Sequence, residues 1–301
     1  MEQVVAGRQS ADKTRRRQQK ASGGFWSRYA RSKAALLGLG VIGLEIVVFT
    51  LGPVLLQLDP YTLGREFNTP PGAGHILGTD EFGRDLLARL LYGGGVSLFI
   101  GMAATLIGMV VGLPLGLLAG YYRGKTETVV MRLADLFLSV PEMVLILVLV
   151  AAFRPSVPAL TLIIGIMSWP GAARLIYGNT LTVREREYIQ AARTHGLSDL
   201  RILSGYVVPN VVSPLWMTMP FHCARAILTE SALSFLGVGV QPPQASLGNL
   251  LYAAQNIVVM SSRPWMWVPA GLCLIATVIS INFIGEGIRQ ALDIRDNLVR
   301  P

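Results

Sequence analysis

Three histidines, His75, His195 and His222, and two cysteines, Cys223 and Cys273, are the side chains of this 301-residue sequence best suited to metal or nucleophilic chemistry, and their spacing serves neither. No HExxH pattern sets two imidazoles on one helix face, no GxSxG elbow is present, and neither cysteine has a plausible base: His222 is adjacent to Cys223 in sequence, and adjacent residues point to different sides of a helix. Both cysteines lie within apolar runs, which fits core or lipid-facing thiols better than a disulfide framework or a zinc site. Gly124-Lys125-Thr126 imitates the end of a phosphate-binding loop, but GxxxxGK[ST] needs glycine at 119, where Ala119 stands. It reads as a basic turn. The chain is therefore expected to have no catalytic residue and no metal ligand, to bind no cofactor and to leave ATP hydrolysis to other subunits.

Chemistry of another kind is visible in five acids that fall in or beside apolar runs: Glu45, Asp135, Glu142, Glu230 and Glu286. Ionisable groups at membrane depth are costly and face a protein interior or a water-filled cavity. Arg132 lies three residues before Asp135 and Arg289 three after Glu286, so both acids read as helix-surface ion pairs. Glu142 follows Pro141 with no charge at helical spacing. It has two readings: a lining residue of a translocation path that meets a cationic group, or a polar contact to another helix or a partner subunit. Glu45 carries no assigned role. Arg225 and Glu230, five residues apart, pair only if the chain bends between them, and they stand as a candidate outer gate.

The most informative polar stretch runs from Thr182 to Gly196. Thr182 with Glu185 forms a capping-box pattern, acids occupy the first turns, Arg193 and His195 suit the C-terminal end, and Gly196 can supply a left-handed stop. The spacing predicts a self-contained helix outside the bilayer. Ala191 and Ala192 would leave a shallow surface for a partner.

These groups must be held by membrane helices. The chain is 52% hydrophobic and only 15% charged, with mean hydropathy +0.50, which excludes an ordinary soluble enzyme, a disordered protein and a disulfide scaffold. Crossing the hydrocarbon core takes about 20 mostly apolar residues. Six runs qualify: Ala35–Leu58, Val96–Ala119, Met131–Phe153, Val157–Tyr177, Val207–Ala226 and Met266–Ile288. The first is longer than a signal-peptide core and has no cleavage site after it, so it reads as a retained anchor. Assigning alternate loops to opposite sides puts twenty Lys and Arg on one side and five on the other (Arg65, Arg84, Arg89, Arg154 and Arg263). By the positive-inside rule the N- and C-termini are cytoplasmic. The net charge of +8 is thereby explained by topology, and no nucleic acid is expected as a partner.

Residues 1–33 read as a cytoplasmic basic tail carrying the Lys13–Lys20 run, with membrane lipid as a secondary contact, followed by an interfacial segment at Phe25, Trp26 and Tyr29. In the second run Ala104, Gly108, Gly112, Gly116 and Gly120 recur every four residues and share one helix face. Small-residue faces let membrane helices approach closely. Packing within this subunit is the favoured use, a subunit interface the other. Pro114 and Pro141 imply kinks.

Three separated segments resemble one family. Glu187-Tyr188-Ile189-Gln190-Ala191-Ala192, then Gly196, then Tyr206-Val207-Val208-Pro209 is similar to the EAA loop of ABC importer permeases, with Gln190, Tyr206 and Val208 in place of the motif's glutamate, isoleucine and leucine. His75-Ile76-Leu77-Gly78-Thr79-Asp80-Glu81-Phe82-Gly83-Arg84-Asp85 resembles the H-x-LGTDxxGRD segment of the dipeptide, oligopeptide and nickel branch, second-permease type. Ser231 to Pro243 resembles that branch's ALSFLGLGVQPP segment. The resemblance extends from about Phe25 to the C-terminus.

It implies an all-α integral membrane protein of six transmembrane helices, type I ABC importer-like, in the bacterial inner membrane. Residues 34–95 would form the first span and an extracytoplasmic loop, and 96–301 the permease core, with a cytoplasmic coupling loop at 181–206. Expected partners are a homologous permease, two ATPase subunits that hold ATP and Mg, and an extracytoplasmic solute-binding protein. Carried over residue by residue, Glu187, Ala191, Ala192 and Gly196 would lie at or support the ATPase contact, while Gln190 removes a charge from that helix. Peptides are the leading substrate, with nickel or a small conjugate such as glutathione behind. An ion-coupled secondary transporter also fits six spans and buried acids, but leaves the capped polar helix without a use. A membrane-embedded enzyme lacks a catalytic cluster.

Overall fold

Long apolar stretches without the apolar/polar alternation of a strand become helices, because inside a bilayer only a helix or a closed barrel satisfies its own backbone groups. The computed structural model describes residues 25–72, 74–153 and 156–293. Among these there is no strand, only an isolated bridge between Thr79 and Asp85. The Lys13–Lys20 run lies outside the described residues, as does Arg154.

The helices are, in order, α1 Phe25–Tyr29, α2 Lys33–Leu55, α3 Leu86–Tyr122, α4 Gly124–Ser139, α5 Glu142–Ala152, α6 Val157–Arg184, α7 Glu187–Thr194, α8 Asp199–Ile202, α9 Val208–Phe235, α10 Leu247–Leu251, α11 Ile257–Ser262 and α12 Val268–Asp293. By length and composition α2, α3, α6 and α12 can each cross a membrane. The third expected run does not form one rod. It breaks at Val140-Pro141 into α4 and α5, bent by 87°. Proline removes a backbone donor and disfavours the helical region for the preceding residue, and Val140 is extended. α9, over the fifth run, is 28 residues long but carries Pro214, Pro220, His222, Arg225 and Glu230, and is less apolar than the other four. Pro114 does not interrupt α3.

The glycine ladder builds the centre of the molecule. It runs down α3 against α6 within this chain, as the packing reading expects. A methyl at Gly112 would sit 2.7 Å from the Ala172 Cβ, and one at Gly120 2.6 Å from the Thr180 Cβ. A methyl at Gly108 would strike Ser168, and one at Gly116 the Ala173 carbonyl. Hence α6 lies nearly backbone to backbone on α3. In lipid, where apolar area gives no drive to associate, this contact supplies dispersion energy along several turns. α12 packs on α2, where Thr277 donates to Glu45 at 2.9 Å. α1 is a one-turn aromatic helix with Tyr29 buried and Trp26 exposed, seated against the end of α12.

Candidate functional site

Two polar regions stand apart from the apolar packing. The first is the loop helix α7. Its start differs from the capping-box expectation: α6 continues through Thr182, whose hydroxyl turns back to the Gly178 carbonyl at 3.3 Å, and ends at Arg184 with Glu185 as its C-cap. Val183 packs into the cluster around Tyr121 and Ile176, which holds α6 helical past the expected boundary. α7 then begins at Glu187, with Arg186 extended before it and no side-chain cap.

The C-terminal end forms as expected. Gly196 has φ +73° and donates to the Arg193 carbonyl at 3.0 Å, while Leu197 donates to the Ala192 carbonyl at 3.2 Å. This paired bonding is the Schellman stop, and the left-handed residue it needs is glycine. The two alanines diverge. Ala192 and Ile189 are buried against Tyr121, Ile202 and Val207, whereas Ala191 faces outward beside exposed Glu187, Tyr188 and Gln190. Gln190 donates to the Glu185 carbonyl at 3.2 Å, so it ties the helix to the turn before it. Arg193 lies 4.9 Å over the Tyr121 ring, and the Tyr121 hydroxyl donates to Asp199 at 2.7 Å. α7 is thus fixed to the end of α3 on one face and bare on the other.

The second region lies where α3, α5, α6 and α9 meet. Arg225 pairs with Glu142, not with Glu230, and this corrects the candidate gate pair. The five-residue separation on continuous α9 sets Arg225 and Glu230 on different faces. The break at Pro141 swings Glu142, the first residue of α5, toward α9. A cavity of about 70 Å³ is lined there by Thr105, Ser168, His222 and Thr229 together with the ion pair. A second one, of about 350 Å³, adjoins it along the broken helix and shares Glu142 and Arg225. The Arg225 side chain is 68% exposed and that of Glu142 30%.

Glu230 instead is fully buried. It accepts from Ser97 at 2.9 Å and Ser234 at 2.7 Å, with Ser231 at 3.4 Å. Ser97 in turn accepts from the Leu247 amide and Ser234 from that of Val240. The carboxylate thus anchors the segment after α9 to α3 and α9. Asp135 also changes partner, meeting Arg174 of α6 at 2.5 Å instead of Arg132. Glu286 keeps Arg289, at 3.5 Å.

Sequence reasoning singled out Glu142 and Arg225 separately and missed their pairing, which spans 83 positions. It also passed over Thr105, Ser168 and Thr229, although small polar side chains at one depth in apolar helices were a readable signal. The segment from His75 to Asp85 is a scaffold. His75 meets Asp85 at 2.7 Å, Asp80 meets Arg84 at 2.7 Å, and Arg89 reaches the Asn249 side chain at 3.2 Å.

Residues 112–295 match the family of binding-protein-dependent transport system inner membrane components. Among curated proteins, the chain is similar to the dipeptide transport system permease protein of Haemophilus influenzae, at 33% identity covering 89% of this chain and 93% of the relative. It is also similar to the di/tripeptide transport system permease protein of Pseudomonas aeruginosa, at 37% identity, covering 89% of this chain and 90% of the relative. The glutathione transport system permease protein of Pectobacterium atrosepticum is 35% identical, with 89% of each chain covered. Among solved structures, an inward-facing form of the MetNI methionine ABC transporter aligns with TM-score 0.57 and 19% identity, over 68% of this chain and 96% of that one. The last likeness is one of fold.

Proposed function

This chain belongs to the family of binding-protein-dependent transport system inner membrane components, and from that premise we propose that it forms, with a homologous second permease, the path of an ATP-driven peptide importer. It is a multi-pass permease subunit of the cytoplasmic membrane. In the proposed topology it crosses six times, the broken pair α4–α5 and the less apolar α9 included, with both termini cytoplasmic. The partition of Lys and Arg supports this orientation, and the 28-residue length of α9, about 42 Å at 1.5 Å per residue, supports its counting as a span. The proposed divisions are the tail and interfacial segment at 1–33, the first span and outer loop at 34–95, and the core at 96–301.

The observation that carries the mechanism is α7, a short helix locked to α3 and α9 on its inner face and bare on its outer one. Glu187, Gln190 and Ala191 meet an ATPase subunit in this proposal, while Ala192 and Gly196 support the helix from within. Two ATPases bind ATP and Mg, this chain binds no cofactor of its own, and a solute-binding protein delivers substrate outside. Closure of the ATPases displaces α7. Because α7 is packed on Tyr121 and on Val207, the residue that leads directly into α9, the displacement reaches α3 and α9, and with them the walls of the cavity at Glu142.

The curated relatives named for dipeptides, di- and tripeptides and glutathione support peptides above nickel. The test is reconstitution with the partner subunits in proteoliposomes, followed by uptake of labelled di- to pentapeptides and of nickel. ATP-dependent accumulation of peptides, with none of nickel, is expected. Uptake of nickel alone overturns the substrate assignment, and uptake driven by an ion gradient without ATP overturns the importer reading.

A further inference from the structure

The geometry points to Glu142 and Arg225 as a dipolar recognition site on the translocation path, one that takes a zwitterion through its free ammonium and free carboxylate; this rests on the peptide-importer reading above. Three observations converge. The two charges belong to different helices, α5 and α9, and are brought together by the break at Pro141. They border two adjoining cavities whose other polar lining, Thr105, Ser168, His222 and Thr229, comes from α3, α6 and α9. Finally, the guanidinium is more than half exposed in this chain, on a helix that the proposed topology sets in the membrane, where a charge facing lipid is costly; it therefore faces the path between this chain and the second permease.

The pair closes on itself when the path is empty. A ligand bearing one charge cannot open it without loss: a lone cation takes Glu142 and strands Arg225, and a lone anion does the reverse. Either ligand gives up the existing ion pair and leaves one of its charges without a partner in the path. A zwitterion exchanges one ion pair for two, its ammonium on the Glu142 carboxylate and its carboxylate on the Arg225 guanidinium, which can bind it in bidentate fashion. Selection is thus for free termini at both ends, indifferent to the side chains between. A bare divalent metal is disfavoured by the same argument.

A double-mutant cycle separates recognition from a merely structural ion pair. In the assembled complex, verified by co-purification of its subunits, uptake of labelled trialanine is measured for Glu142→Gln, Arg225→Gln and the double variant. If both charges read the ligand, each single variant lowers uptake kcat/KM by about tenfold and the double falls below either single. If the pair only holds helices together, the singles each leave a charge unpaired and the double recovers. A double variant equal to or better than either single, or singles that match the wild type, overturns the dipolar site and leaves the importer reading standing. Absence of ATP-dependent trialanine uptake by the wild type removes that reading, and this inference with it.

Discussion

At the scale of single residues, the buried acids divide by what surrounds them. Glu230 is held by serine hydroxyls that in turn accept the amides of Val240 and Leu247, so its carboxylate organises the backbone that follows α9. Replacing it with leucine leaves those hydroxyls without their acceptor, a loss on the order of 1–3 kcal/mol per buried group. Glu230→Leu is therefore expected to lower the thermal unfolding midpoint of the detergent-solubilised protein well below that of Glu230→Gln, which keeps an acceptor oxygen. Equal midpoints for the two variants would contradict the anchoring role. The sequence marked Glu142 by its isolation and its proline neighbour, but not Arg225 as its partner. That pairing depends on how a broken helix lies against one 83 positions away, which no local pattern encodes.

At the scale of elements, the α3–α6 seam depends on the absence of side chains along one line. Gly112→Leu forces the helices apart where even a methyl would sit 2.7 Å from Ala172, and overpacking of this kind costs about 1–3 kcal/mol. Gly178→Ala in α6, where an added methyl meets nothing within 4 Å, is the matched control. The folded fraction recovered in detergent should fall for Gly112→Leu and hold for Gly178→Ala. An equal yield for both would remove the seam as the centre of the fold. This element was legible beforehand, since a period of four in glycine is a face whatever packs on it. The start of α7 was not legible: Thr182 and Glu185 have the form of a capping box, but packing of half-buried Val183 against the Tyr121 cluster keeps α6 helical past Thr182 to Arg184. Its end was legible, because Gly196 meets a backbone requirement that few other residues satisfy.

At the scale of the whole molecule, the chain is a set of membrane helices, some of which border a small polar cavity at Glu142 and Arg225, with one polar helix held outside them. Composition and charge partition made the membrane character readable. Span count was less so, because α9 mixes prolines and charges into its length and the third run bends by 87°. The central claim is that α7 is a lever: it is rigid, fixed to α3 and α9, and its motion moves the cavity walls. Gly196 is where this can be tested, because its φ of +73° is closed to proline, whose ring holds φ near −65°. The most direct measurement is ATP-dependent peptide uptake by reconstituted complexes carrying Gly196→Pro, with membrane insertion of the variant checked in parallel. The account predicts a variant that inserts normally and transports nothing. Uptake at the wild-type rate would contradict it.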